Sequence, residues 1–269
     1  DIVKNVAKDF SREDDLLVFS LSNPKKSCSY NAIKIGTPEQ KKSKLMEGLD
    51  LEHEYYGAVA SKYLGTLFDI LDFLGKKDIT LADLQNYLIN ENAKASLFEQ
   101  LNEREDSEEV DSLLMKLNSL RQVSNKDIAG LCAQIESFSL REFHGALNPR
   151  QSRNKEVDLI DVLQNGKVAY FQMNVNAYGD LSSRLGKLII QDIKLISNMF
   201  QSGQVEKKFE YAGIFVDEFG SFATRSFANI QKMIRSSGMG LRLFYQGMAD
   251  LRDVSPAFEN QVLGNSLIK

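Results

Sequence analysis

The chain has 269 residues, of which 43% are hydrophobic, so it can bury a core large enough for two domains. Its formal net charge of −4 excludes a protein that coats nucleic acid through overall positive charge, because such proteins carry a dominant basic field. The cysteines and histidines, Cys28, Cys132, His53 and His144, are too sparse and scattered for a zinc site, and we expect the thiols to be reduced.

The sequence contains neither a signal peptide nor an apolar run near the ~20 residues that a membrane-spanning helix needs. We therefore expect that this chain makes no contact with a membrane. Both ends interrupt a pattern: Asp1 stands at the edge of an amphipathic helix pattern, and residues 265–269 resemble the start of a strand. We therefore expect the chain to be a piece of a longer protein.

The first region, residues 1–35, predicts a helix followed by a strand. Residues 16–21 form a short apolar run of strand length, and a turn-rich stretch from 22 to 29 follows it. This order fits the first part of an α/β domain.

The second region, residues 36–148, predicts helices and no strand. A capping residue followed three positions later by an acid or glutamine recurs at Thr37/Gln40, Thr80/Asp83, Asp106/Glu109, Ser124/Asp127 and Ser139/Glu142. Apolar residues between these caps fall at helical spacing, which predicts an all-α domain. We interpret its acidic run, residues 103–109, as a solvated helix start or connection, with binding of a partner as the alternative.

The third region, residues 149–269, alternates strands with helices. Apolar strands are predicted at 168–173, 211–216 and 241–245, and the helix before Gly238 is expected to end at that glycine. Strand–helix–strand order predicts a parallel sheet. Because residues 1–35 fit the same α/β domain, the all-α domain is an insertion that splits it.

Two acidic residues follow the second strand of this region. Asp217 and Glu218 give the strand the Walker B form, in which the first carboxylate holds Mg²⁺ through water and the second orients the attacking water. Carboxylates at this point are also favourable as a helix start, and that reading stays open.

Gln246 and Arg235 extend the pattern. Gln246 ends the next strand, where it can sense a γ-phosphate or the attacking water; a simple polar strand end is the alternative. Arg235 ends the intervening helix, either as a favourable charge at a helix C-terminus or as an arginine finger for a neighbouring subunit's nucleotide. A helix of ~12–14 residues would carry Arg235 ~18–21 Å from the acidic pair, beyond the reach of its side chain.

No phosphate-binding loop is present in the sequence. The pattern G-x-x-x-x-G-K-[ST] is absent, since the Gly-Lys pairs Gly75-Lys76, Gly166-Lys167 and Gly186-Lys187 are not followed by Ser or Thr. We interpret all three glycines as helix-end or turn residues. We therefore expect no ATP hydrolysis by this chain alone.

Several segments resemble the type IV secretion coupling proteins of the TraD/TraG class. They are Phe215–Gly220, Ile234–Leu241, Tyr245–Gln246, Asp250–Leu251, Asn260–Asn265, Asp158–Val168 and Tyr30–Ile33, the last with Ala32 where proline is usual. The resemblance implies a RecA-like P-loop NTPase sheet, incomplete here, with an inserted all-α domain. Residues 1–35 and 149–269 would then be the two parts of the nucleotide-binding domain.

The resemblance also implies a function. Such proteins are homohexameric ATPases at the inner membrane that use ATP and Mg²⁺ to pass relaxase-bound DNA, and in some cases protein substrates, to the secretion channel during conjugation. This chain would be a cytoplasmic part that meets relaxosome proteins. Asp217 would be the magnesium-associated acid, Glu218 the catalytic carboxylate, Gln246 the nucleotide sensor and Arg235 the finger acting on a neighbouring subunit.

Two other functions remain open on the sequence. One is a non-catalytic adaptor that docks a secretion substrate through the helical domain, which the acidic run and the missing phosphate loop favour. The other is part of an FtsK-like DNA translocase, which shares the Asp-Glu and Gln elements.

Overall fold

The structure, a computed structural model, describes residues 2–49, 51, 54–105, 107–152, 154–224 and 227–266. Within them the helices and strands follow in the order α1 (Ile2–Asp9), β1 (Leu16–Ser20), α2 (Pro38–Gly48), α3 (Glu54–Phe73), α4 (Leu81–Ile89), α5 (Glu91–Asn102), α6 (Glu108–Arg121), α7 (Ala129–Glu136), α8 (His144–Leu147), α9 (Leu159–Gln164), β2 (Val168–Gln172), α10 (Val175–Gln201), β3 (Ala212–Val216), α11 (Phe227–Ser236), β4 (Met239–Leu243), α12 (Met248–Arg252) and α13 (Pro256–Asn265). Short 3₁₀ helices lie at Pro24–Lys26, Arg141–Phe143, Pro149–Gln151 and Phe219–Phe222.

The chain divides into two compact units. One is the continuous segment 29–154, and the other combines residues 1–28 with 155–269. The sequence places the divisions at other residues, after 35 and after 148, and those domain boundaries stay predictions.

The split unit contains the strands. Strand β1 pairs in parallel with β2, from Leu16 opposite Val168 to Ser20 opposite Gln172. Strand β3 pairs in parallel with β4, from Ala212 opposite Met239 to Val216 opposite Leu243. The predicted parallel arrangement is confirmed for both pairs. In the described part of the chain these are two separate two-stranded sheets, so the α/β architecture is present with an incomplete sheet.

Helices α10, α11 and α13 enclose the core beside β3 and β4. Alternate residues of β3, Ile214 and Val216, pack against this core, while Phe215 between them is exposed. Phe219 is fully buried at the centre, with its ring 4.4 Å from that of Phe227. The chain is thereby anchored immediately after Asp217 and Glu218.

The continuous unit is all-α. Helix α3 packs against α2 and α6, and α4 packs against α5 and α7. Thr37 and Thr80 form the predicted capping boxes with Gln40 and Asp83. The side chain of Ser107 caps α6; the predicted cap residue Asp106 lies outside the described residues. As predicted, the described residues between 36 and 148 contain helices and no strand.

The remaining predicted caps are displaced from the helix starts. Ser124 and Asp127 exchange the expected hydrogen bonds, but the next helix, α7, begins only at Ala129. Ser139 precedes the 3₁₀ turn at Arg141–Phe143. A local cap predicts where a chain can turn, and tertiary packing decides where the helix continues.

Two sequence interpretations are wrong. Gly186 is not a helix-end residue but lies inside α10, where the absence of a side chain admits the ring of Phe222. Asn265 does not open a strand, because it ends α13; residues 267–269 lie outside the described part of the chain. Gly75 and Gly166 do stand at turns, with φ of 71° and 60°.

Among the described residues, no helix combines the length and the apolar character needed to cross a membrane.

Candidate functional site

The ends of β3 and β4 bring the predicted site residues to one edge of the sheet. Val216 lies opposite Leu243, and the two segments remain joined by backbone hydrogen bonds beyond the ends of the strands. Phe244 donates its N–H to the Val216 carbonyl at 2.9 Å, and Phe219 donates its N–H to the Phe244 carbonyl at 2.9 Å. The segments that carry the acidic pair and Gln246 therefore leave the sheet side by side.

Asp217 and Glu218 are both exposed at this edge. The Asp217 carboxylate accepts a hydrogen bond from the Glu218 N–H at 2.9 Å, which directs the chain into a turn. Glu218 itself adopts left-handed backbone angles, φ 49° and ψ 42°. This conformation is uncommon for residues other than glycine, asparagine and aspartate, and it occurs preferentially at functional sites.

The loop that carries Gln246 is held by Asp250, whose role the sequence reasoning missed. The Asp250 carboxylate accepts hydrogen bonds from the N–H groups of Gln246 at 3.1 Å and Gly247 at 3.4 Å. Asp250 is the third residue of α12, the position from which an acid reaches back to the residue before a helix. That spacing is the signal that could have identified it.

The turn after Glu218 lies directly against Asp250. A Cβ atom at Gly220 would lie 2.8 Å from the Cβ of Asp250, so only glycine fits there. Asp250 thus contacts the turn that follows the acidic pair and also fixes the backbone of Gln246. The structure brings Asp217, Glu218 and Gln246 to one edge through this contact.

Arg235 lies at the opposite edge of the same sheet. Helix α11 runs back from the strand ends to the start of β4, and Arg235 occupies its last turn. Ten helical residues span ~15 Å, somewhat less than the sequence estimate, since α11 is shorter than expected. Arg235 is exposed, and its guanidinium has no hydrogen-bond or ion-pair partner within the described residues. The structure does not bring Arg235 together with the other three.

The residues at this edge of the sheet provide some, but not all, of the groups that bind a nucleotide with Mg²⁺. Carboxylate oxygens are the ligands that Mg²⁺ prefers, and an exposed carboxylate such as that of Asp217 can hold it through water. No group of three or more His, Cys, Asp or Glu residues that could bind a metal directly occurs in the described part of the chain. The sequence also lacks the glycine-rich loop that would surround the phosphates.

The parallel strand pairs, one strand of which is followed by an acidic pair, and the all-α segment that interrupts them in sequence form an α/β fold like that of P-loop NTPases. Solved structures of the coupling protein TrwB share this fold. The trigonal form of the bacterial conjugative coupling protein TrwBdeltaN70 with sulphate matches with a TM-score of 0.53 and 14% identity, over 94% of this chain and 57% of that chain. Two structures of plasmid coupling protein TrwB match over the same shares of both chains and with the same identity. One is in complex with the non-hydrolysable GTP analogue GDPNP (TM-score 0.51) and the other with the ATP analogue ADPNP (TM-score 0.52).

The present chain therefore spans just over half the length of the TrwB chains that it matches. No protein-family model matches the sequence, and no curated protein does. At 14% identity the likeness establishes the fold.

Proposed function

We propose that this chain is part of a hexameric ATPase that couples relaxase-bound DNA, and protein substrates, to a type IV secretion channel during conjugation. The observation behind this proposal is that the Asp-Glu pair after β3 and Gln246, three residues after β4, lie on segments that leave the sheet side by side, on a fold shared with TrwB. A scaffold protein has no need of these residues on adjacent strands. In this proposal the chain lies on the cytoplasmic side of an inner-membrane-anchored protein.

The proposed roles follow from the positions at the sheet edge. Bound ATP with Mg²⁺ supplies the phosphoryl group whose transfer to water drives DNA transfer. Asp217 would hold the metal through water, and Glu218 would orient and polarise the attacking water. Gln246, fixed through its backbone by Asp250, senses the γ-phosphate. The phosphates themselves would be held mainly by residues other than these 269.

We further propose that Arg235 acts on the nucleotide of a neighbouring subunit. Its guanidinium is exposed and lies on the other edge of the sheet from Glu218. The strands between these edges span ~16 Å, which an arginine side chain cannot cross. In a ring, the same residue can reach across a subunit boundary and stabilise the charge of the transition state.

An adaptor without catalysis is the second candidate. Helix α6 begins with the acidic residues Glu108, Glu109 and Asp111, all of them exposed, and such a surface suits a basic partner. A phosphate loop elsewhere in the same polypeptide would argue for the motor over the adaptor. The FtsK-like translocase shares the strand-end residues, and the all-α insertion favours the coupling protein.

The test is the change Glu218→Gln in the full-length protein. Removing the carboxylate should leave ATP binding intact and lower hydrolysis by at least ~10²-fold, the usual contribution of a general base. ATP binding and phosphate release should be measured together, with and without single-stranded DNA.

Glu210→Gln is the matched control, since Glu210 is an exposed glutamate just before β3 and far from the strand ends. It should leave both binding and hydrolysis unchanged. Loss of binding in Glu218→Gln would show that the roles of Asp217 and Glu218 are wrongly assigned. Absence of hydrolysis in the unaltered full-length protein would favour the adaptor.

A further inference from the structure

The last turn of α11 is held by side chains of another helix. At a helix C-terminus the last carbonyls lack partners within the helix. Here the Ile234 and Arg235 carbonyls accept N–H groups of Ser237 and Gly238, both at 3.1 Å. The preceding carbonyl, that of Met233, accepts hydrogen bonds from side chains instead.

Two of these side chains come from α10. Ser197 Oγ donates to the Met233 carbonyl at 3.0 Å, and Gln201 Nε2 donates to it at 2.7 Å. Ser197 and Gln201 are four residues apart, so they lie on the same face of α10. The Oγ of Ser236, in α11 itself, lies 2.7 Å from the same carbonyl.

The Gln201 amide lies within hydrogen-bond distance of every other group in this cluster. Its Nε2 also lies 2.8 Å from the Oγ of Ser236, 2.9 Å from that of Ser237 and 3.1 Å from that of Ser197. An amide has two N–H protons, so it donates to two of these four acceptors at a time. Ser197 and Ser237 are buried, with their Oγ atoms 2.6 Å apart, while Gln201 itself is exposed.

This cluster fixes the backbone on both sides of Arg235. Met233 lies two residues before it, and Ser236 and Ser237 follow it directly. Arg235 has no side-chain partner of its own among the described residues, so its direction depends on the helix end that carries it.

We propose that Gln201 is a positioning residue for Arg235, holding the last turn of α11 so that the guanidinium meets the neighbouring subunit's nucleotide. The inference rests on the proposed role of Arg235 between subunits. Gln201 does not touch the nucleotide; it acts through the Met233 carbonyl and the serines. A displacement of ~1 Å in a positioned group can cost ~10² in rate, so loosening this turn should be measurable in turnover.

The experiment compares Gln201→Met with Gln164→Met in the full-length ATPase. Gln164 is a matched control, because its amide also bonds a backbone carbonyl, that of Glu206, and its Oε1 accepts from the Lys208 N–H, and neither of these hydrogen bonds involves α11. Gln201→Met should lower kcat about tenfold with the KM for ATP unchanged, since the contact with Arg235 is made in the transition state. Gln164→Met should keep kcat within about twofold of the unaltered protein.

A double-mutant cycle separates positioning from a general effect on the fold. In the Arg235→Ala background, Gln201→Met should cause no further loss of kcat, because the residue that it positions is gone. An equal loss in both backgrounds, or a kcat equal to that of Gln164→Met, would overturn the inference. Normal kcat in Arg235→Ala alone would instead overturn the proposed role of Arg235, so the two failures are distinguishable.

Discussion

Glu218 has a side chain suited to orienting water, but its backbone adopts angles that are unfavourable for a glutamate. Left-handed angles in a residue other than glycine cost ~1–3 kcal/mol and persist only where the surrounding structure imposes them. Here the hydrogen bond that the Glu218 N–H donates to the Asp217 carboxylate and the buried ring of Phe219 hold the backbone in these angles. Glu218 is exposed just beyond the end of β3, which is where the proposed chemistry needs it.

The strain predicts that Glu218→Gly stabilises the chain by up to ~1 kcal/mol, because glycine adopts these angles without a steric cost. The change should be measured as the free energy of unfolding in urea. Glu210→Gly is the control: its φ is not positive, so glycine there should cost ~0.4–1 kcal/mol through the entropy of the unfolded chain. Equal losses in both variants would show that the conformation of Glu218 is not strained.

Residue-level contacts could be predicted where the partners are close in sequence. Thr37 with Gln40 and Thr80 with Asp83 are three residues apart, so a single helical turn brings them together. The bond from Gln201 to the Met233 carbonyl spans 32 residues. Its acceptor is a backbone atom that every residue possesses, and sequence therefore gives no sign of it.

At the scale of elements, helix α10 contacts several other elements of the α/β unit. It packs against α11 and against the 3₁₀ turn after Glu218. The 3₁₀ turn contacts α10 at Gly186, where a Cβ atom would lie 2.6 Å from Cε1 of the buried Phe222 and closer still to its Cδ1. The turn that carries the acidic pair can approach α10 only because residue 186 has no side chain.

Two glycine-to-alanine changes in this one helix should have opposite effects. Gly186→Ala should lower the free energy of unfolding by ~1–3 kcal/mol, because the added methyl group overpacks the contact with Phe222. Gly179→Ala should raise it by up to ~1 kcal/mol, since Gly179 is exposed and has no neighbour within 4 Å of a new Cβ. Thermal unfolding of the two variants measures both, and destabilisation by Gly179→Ala to the same extent would contradict the packing explanation.

Strands could be predicted from sequence, but their partners could not. A short run of mostly apolar residues identifies β1, β2 and β3, as is typical of strands in a parallel sheet. The pairing of β1 with β2 joins residues that are 152 positions apart, as Ser20 and Gln172 are, and no local pattern encodes it. The edge that gathers Asp217, Glu218 and Gln246 was predictable, since parallel strands end on the same side.

For the whole molecule, the division into a continuous and a split unit predicts different behaviour in isolation. Residues 29–154 contain their own helix–helix contacts and should unfold cooperatively when expressed alone. Residues 155–269 lack β1, whose fully buried Phe19 packs against Phe171. We therefore expect that this segment does not unfold cooperatively when it is expressed alone. Circular dichroism during urea unfolding tests both segments. Cooperative unfolding of 155–269 would show that β1 is dispensable.

The proposed hexamer predicts complementation between inactive subunits. Arg235→Ala subunits retain Glu218, and Glu218→Gln subunits retain Arg235, so a random one-to-one mixture pairs intact residues at about a quarter of the interfaces. ATPase activity should therefore return in part when the two proteins are assembled together. As a control, Glu218→Gln mixed with the variant that carries both changes should stay inactive. Equal activity in the two mixtures would argue against action between subunits.

The distance in sequence between β1 and β2 also has a consequence during synthesis. At ~5–20 residues per second, the ribosome needs ~8–30 s after making β1 to make the strand that pairs with it. For that time the backbone groups and apolar side chains of Leu16–Ser20 have no native partner strand, while the whole segment 29–154 emerges and can fold. Nascent chains of this protein thus expose an aggregation-prone strand for tens of seconds, and binding by a cellular chaperone during that interval would protect it.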